Sequence, residues 1–129
     1  MSLSIATWNV NGIRARSEQV LAWLGSDRPD VLCLQEIKAI PAQVPEALSG
    51  HPEYWSYWHG AGGYSGVALL LAKSRFPEEP RFAHPSFDME TRIVTAEAGP
   101  YFFSSIYVPN GGKDYAAKIS FLEGFRAWT

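Results

Sequence analysis

Two short apolar runs in this chain end abruptly in side chains suited to a hard cation or a phosphate. The first ends in Trp8-Asn9-Val10-Asn11-Gly12-Ile13-Arg14-Ala15-Arg16 and the second in Leu32-Cys33-Leu34-Gln35-Glu36-Ile37-Lys38. Mg²⁺ takes oxygen ligands, few of them from protein and the rest from water and substrate phosphate. Glu36 offers a direct carboxylate, while Asn9 and Asn11 offer amides that orient it or a bound water. Taken alone, Asn11-Gly12 reads equally as a turn signal and Glu36 as a solvated acid. The second motif, following the first at βαβ distance, favours a shared cation and phosphate site, the beginning of a metal-dependent phosphodiesterase centre.

Arg92 and Tyr107 form a second constellation. A tyrosine hydroxyl donates to a phosphate oxygen, and an arginine presents a planar fork to the same anion. The competing reading is a cross-strand packing pair. The Gly-rich segments Gly62-Gly63-Tyr64-Ser65-Gly66 and Asn110-Gly111-Gly112-Lys113 offer backbone, amide and amine contacts to a nucleic-acid backbone, or plain turns. Lys38 is expected to shape the rim beside Glu36 rather than act as a base, because a solvated lysine is protonated near neutral pH. His51, His59 and His84 have no ligand spacing and receive no role.

Positioning these groups requires a strand over residues 3–8, a helix opening at Ser17 with Glu18 in its first turn, and a fully apolar strand over 31–34. A strand–helix–strand crossover makes the two strands parallel and opens their carboxyl ends on one edge. A short helix over 41–48 and strands over 54–58 and 64–71 follow, then an irregular Pro-rich stretch over 76–85. Residues 91–97 and 102–107 flank a turn over 98–101. In that register Glu97 faces Phe102, Ile93 faces Ile106, and Arg92 lies opposite Tyr107 at the hairpin's open end. This hairpin makes the sheet mixed. A last helix covers 116–128.

The 129 residues suit one modest domain, and 47% apolar with 19% charged residues is a globular composition. The net charge of −2 argues against a dedicated nucleic-acid binding module but permits an enzyme with basic groups gathered on one rim. A single cysteine, Cys33, excludes a disulfide framework, fits core packing and points to a reducing cytoplasm. No basic flank followed by an apolar core marks a signal peptide, and no apolar run approaches the ~18 residues of a membrane span.

Together these motifs, with Gly63-Tyr64-Ser65-Gly66-Val67-Ala68-Leu69-Leu70, Thr91-Arg92-Ile93-Val94 and Tyr107-Val108-Pro109-Asn110, resemble the N-terminal half of the exonuclease III family of abasic-site endonucleases, within the endonuclease/exonuclease/phosphatase group. The resemblance covers essentially the whole chain. It implies an α/β fold, a DNase I-like sandwich of two mixed sheets flanked by helices. It implies Mg²⁺ or Mn²⁺ held by Glu36 with Asn9 and Asn11 around it, and Tyr107, Arg92 and Asn9 as catalytic groups at the scissile phosphate. Gly63, Tyr64, Asn110 and Lys113 would contact DNA. The implied substrate is double-stranded DNA with abasic sites or 3′ ends. The implied reaction is hydrolysis 5′ to the abasic site, with 3′-to-5′ exonuclease and 3′-phosphate removal as related activities.

The family's Gly-Asp-X-Asn and Ser-Asp-His motifs, which orient and deprotonate the attacking water, are absent from these residues. The chain is therefore expected to be an N-terminal half spanning 1–129 that is inactive alone and needs a complementary C-terminal half or a second chain. Half a sandwich is also expected to leave its inner face wet. Exposing ~600 Å² of apolar surface forfeits about 15 kcal/mol, which exceeds a typical domain's stability. A noncatalytic DNA-binding or assembly module built on the same fold is the alternative. A phosphodiesterase acting on RNA or a lipid head group is a third reading.

Overall fold

The computed structural model describes residues 2–87, 90–112 and 114–128. It begins with a βαβ unit. Strand β1 (Ile5–Asn9) runs parallel to β2 (Val31–Gln35), with Asn9 aligned to Gln35, and helix α1 (Ile13–Asp27) connects them. The helix begins before the expected Ser17, so Glu18 lies beyond the first turn, which holds no acid. Tertiary bonds set this start: Gly12 N–H donates to Glu36 O at 2.8 Å and Ile13 N–H to Ile37 O at 2.9 Å. These bonds satisfy donors that a side-chain cap would otherwise take. Arg28 closes the helix in a left-handed conformation, its N–H bonded to Leu24 O.

The first sheet has the order β1-β2-β4-β3, with β3 (Tyr54–His59) and β4 (Val67–Ala72). Because β4 is antiparallel to both neighbours, this sheet is mixed. The second sheet, β5 (Arg81–Ala83), β6 (Ile93–Ala98) and β7 (Tyr101–Ile106), is antiparallel throughout. The mixed character thus comes from β4 and not from the β6–β7 hairpin. That hairpin has the expected register, Ile93 with Ile106 and Glu97 with Phe102, but its turn is tighter, since Ala98 pairs with Tyr101.

Three other elements differ from expectation. The single helix over 41–48 is instead a 3-10 turn (Pro41–Gln43) and a one-turn helix α2 (Glu46–Ser49), because Pro45 lacks an N–H and holds Val44 extended. The strand expected from residue 64 starts at Val67, because Ser65 (φ 59°) and Gly66 (φ 92°) are left-handed. Strand β5 forms inside the Pro-rich stretch, between Pro80 and Pro85, by pairing with Thr95 to Glu97.

Burial explains why β2 and β4 read as unbroken apolar runs. Leu32, Leu34, Ala68 and Leu70 face α1 and its Ile13, Val20 and Leu24. Val31, Cys33, Val67, Leu69 and Leu71 face the second sheet and its Val94 and Ala96. The two sheets therefore cover each other over β2 and β4, so the inner face expected to be wet is buried there. At one side the sandwich is closed by ring stacks, Tyr57 on Phe82 at 5.7 Å and His59 on His84 at 4.1 Å. At the other side β1 and β7 are sheet edges, and Ile5, level with Val31, is 59% exposed. Helix α3 (Tyr115–Trp128) seats Phe121 against Phe87. Among the described residues no helix is long and apolar enough to cross a membrane.

Candidate metal and phosphate site

The carboxyl ends of β1 and β2 carry the first group of polar residues. Their ladder continues past the strands through Val10 N–H to Gln35 O at 3.0 Å and the two bonds that start α1. A third segment joins this edge: Ile37 N–H donates to Gly66 O at 3.1 Å and Lys38 N–H to Ser65 O at 3.0 Å. The close approach needs glycine at position 66, where a Cβ would meet Ile37 Cγ1 at 2.6 Å. Asn9, Glu36 and Lys38 are thus fixed on one rim by backbone bonds between neighbouring elements.

Their side chains form one network. Asn9 Nδ2 donates to Glu36 Oε2 at 2.5 Å, and Asn9 Oδ1 accepts the Asn11 N–H at 3.1 Å. Lys38 Nζ donates to Asn11 Oδ1 at 2.6 Å and lies 3.7 Å from Glu36 Oε1. Asn11, Glu36, Lys38, Ser65 and Glu90 all have φ between 47° and 59°. Left-handed non-glycine residues are strained, and such strain gathers at binding sites.

Arg92 and Tyr107 approach from the second sheet. Tyr107 N–H bonds Arg92 O at 2.9 Å, the cross-strand placement expected from the hairpin register. The guanidinium is only 4% exposed and lies between two rings, 4.9 Å from the Tyr107 centroid and 5.7 Å from that of Tyr64. It donates to Tyr64 Oη at 3.3 Å and faces Glu90 at 3.8 Å. Tyr64 itself is 56% exposed, so its ring is presented at the surface rather than buried. The Tyr107 hydroxyl is held above its ordinary pKa by burial first and then by the Glu36 charge, against the opposing effect of Arg92. It therefore stays a neutral donor at physiological pH.

Glu36, Lys38, Gly63, Tyr64, Arg92, Tyr107 and Asn110 share one cleft of about 190 Å³. Ser65, which the sequence offered only as part of its Gly-rich segment, also lines it, as do Glu90 and Asp114, which were not singled out in the sequence. Only its chain position, just before the Thr91-Arg92 motif, signalled Glu90. Asn9 and Asn11 stand behind this cleft through their contacts with Glu36 and Lys38. Asn110 Oδ1 accepts Gly112 N–H at 2.9 Å, which ties up part of its side chain within its own loop. Lys113 lies outside the described residues. Ser65 Oγ and Arg92 Nε are buried without a hydrogen-bond partner, unusual for native polar atoms.

Among the described residues no three His, Cys, Asp or Glu side chains gather at a point. Mg²⁺ and Mn²⁺ are held by one or two carboxylates plus water and phosphate. The Lys38 ammonium already stands where Glu36 and Asn11 turn their oxygens toward positive charge. The donor set is carboxylate and amide oxygen, so it fits a hard divalent cation.

Comparison with known proteins finds relatives in sequence and in fold. DNA repair nuclease APEX1 of Danio rerio is 37% identical over 117 residues, covering 87% of this chain and 38% of that protein. An AP endonuclease structure from Archaeoglobus fulgidus superposes with a TM-score of 0.82 at 32% identity, covering 96% of this chain and 49% of the other. A 3′ phosphatase, NExo, from Neisseria, solved with a product DNA hairpin, gives a TM-score of 0.78 at 28% identity, covering 98% and 50%. The chain thus spans about half of the solved structures it matches and less than half of the APEX1 relative. Residues 6–126 match the Endonuclease/Exonuclease/phosphatase family, and the chain belongs to that family, with AP endonucleases and exonuclease III proteins as its homologues.

Proposed function

We propose that this chain supplies the metal and phosphate rim of a DNA-repair nuclease that hydrolyses the phosphodiester 5′ to an abasic site and removes nucleotides or phosphate from 3′ ends. The observation that carries the reading is the Asn9–Glu36 bond of 2.5 Å across two parallel strand ends, whose Glu36 lines the same cleft as Arg92 and Tyr107. Glu36 would hold Mg²⁺ or Mn²⁺, with Asn9 and Asn11 orienting its carboxylate or a bound water. When bound, such an ion neutralises charge on the phosphate or leaving oxygen.

The chain's own residues do the rest of the work on this side of the site. Tyr107, kept neutral, donates its hydroxyl to a phosphate oxygen. Arg92, pinned between two rings, supplies fixed positive charge with little reorganisation on reaction. Gly63, Tyr64 and Asn110 border the cleft and offer backbone and side-chain contacts to the DNA strand. Glu36 is committed to Asn9 and Lys38 and is not read as the base that deprotonates an attacking water, and the chain spans about half of the AP endonuclease structure it matches. Residues 1–129 are therefore read as the N-terminal half of the catalytic domain, and the base belongs to a complementary half.

The test is cleavage of a duplex carrying a tetrahydrofuran abasic analogue. The chain alone should bind weakly and not cut. Joined to the second half of the Archaeoglobus fulgidus AP endonuclease it should cut in Mg²⁺, and Glu36→Gln in that fusion should abolish cutting. A folded fusion that never cuts refutes the nuclease reading, and a chain that cuts alone refutes the need for a second half.

A further inference from the structure

Lys38 is the one cation in contact with both Glu36 and Asn11 among the described residues, and its backbone is held on both sides. Its N–H donates to Ser65 O at 3.0 Å, and its carbonyl accepts Arg14 Nη2 at 3.1 Å. Its φ of 52° turns the side chain back across the rim, where Nζ reaches Asn11 Oδ1 at 2.6 Å and Glu36 Oε1 at 3.7 Å. The same side chain lines the cleft and is 34% exposed, so it has room to leave.

A divalent cation on the Glu36 carboxylate and an ammonium 3.7 Å from it compete for the same lone pairs and repel each other. We propose that Lys38 is a tethered counter-ion for the rim, displaced when the metal binds, and that the freed ammonium turns into the cleft to meet a phosphate of the bound strand. Lys38 is then a positioning residue with two alternative partners. It keeps Glu36 and Asn11 in place while the metal is absent, and it couples metal loading to nucleic-acid binding. Arg92 cannot play this part, because its guanidinium is buried between Tyr64 and Tyr107. The inference rests on the reading of Glu36 as a metal ligand.

The consequence is a linkage with a definite sign. Removing the ammonium removes a competitor, so the metal binds more tightly. It also removes a phosphate contact that exists only in the loaded state, so the metal no longer strengthens DNA binding as much. Lys38→Met keeps the stem length and the backbone strain while deleting the charge.

Mn²⁺ binding to the 129-residue chain is measured by isothermal titration calorimetry for the wild type, Lys38→Met and Glu36→Gln. Lys38→Met is expected to bind Mn²⁺ about three- to ten-fold more tightly, the scale of losing a close like charge at a partly exposed site. Glu36→Gln is expected to lose the site. A 20-base-pair duplex is then titrated with and without Mn²⁺ over a range of NaCl. The wild type should gain about one unit of salt slope on adding Mn²⁺, and Lys38→Met should not. Unchanged or weaker Mn²⁺ binding in a folded Lys38→Met, with Glu36→Gln still abolishing it, overturns the counter-ion role alone. Equal Mn²⁺ binding by the wild type and Glu36→Gln overturns the metal reading beneath it. Lys38→Gln, less apolar than Met, serves as the second variant if Lys38→Met melts early.

Discussion

Asn9 and Glu36, separated by a fifteen-residue helix and two strand ends, meet through a hydrogen bond of 2.5 Å. The contact joins the last residue of β1 to the residue just after β2, so it exists only because those strands run parallel in register. Breaking that register by one residue would turn one of the two side chains to the opposite face of the sheet.

Arg92 is expected to serve binding more than stability. A buried charge costs desolvation that a same-sized apolar side chain avoids. Arg92→Met should therefore hold the melting temperature within a few degrees of wild type while weakening duplex binding about ten-fold or more. Differential scanning fluorimetry and fluorescence anisotropy check the two halves. A large loss of stability with intact binding would make Arg92 a packing residue.

Cys33 gives a pH dependence of stability with a fixed sign. Burial pushes its thiol from 9.0 to about 11, outweighing the opposing bond with Ser105. A folded-state pKa above the unfolded one favours the native state fully below pH 9 and loses that contribution as pH rises through about 11, on the order of 2–3 kcal/mol. Tyr54 and Tyr107, both raised mainly by burial, add losses of the same sign above pH 10. Urea midpoints between pH 8 and 11 for wild type and Cys33→Ala separate the contributions. The variant's curve should be flatter, and parallel curves would remove Cys33 from the explanation.

Gly60 and Gly66 hold the loop that supports the rim. A Cβ at Gly60 would lie 2.0 Å from Ala39 O, and one at Gly66 would meet Ile37 at φ 92°. Either alanine substitution should cost roughly 2–4 kcal/mol. Gly63→Ala, with open space around the added carbon, should be close to neutral. Chemical denaturation of the three variants tests the ranking, and equal costs at all three positions would contradict the close approach.

Much of this arrangement was legible in the residue order. The β1–β2 pairing followed from an apolar strand, a helical period and a second apolar strand, and the Arg92–Tyr107 placement followed from counting back from the hairpin turn. The start of α1 was not legible, because it is fixed by Glu36 and Ile37 carbonyls that are distant in sequence. Strand β5 was hidden by flanking prolines, since only pairing with β6 makes residues 81–83 extended. The rim's left-handed residues were hidden too: nothing local demands φ 54° of a glutamate, and the tertiary bonds around it do. Lys38 was legible as a neighbour of Glu36 but not as the partner of Asn11.

The most direct measurement is Mn²⁺ line broadening in an amide NMR spectrum of the chain. Broadening should centre on Asn9, Asn11, Glu36 and Lys38 at sub-stoichiometric Mn²⁺ and vanish in Glu36→Gln. Broadening centred instead on Glu90 or Asp114, or unchanged by Glu36→Gln, would contradict a shared cation site at the ends of β1 and β2.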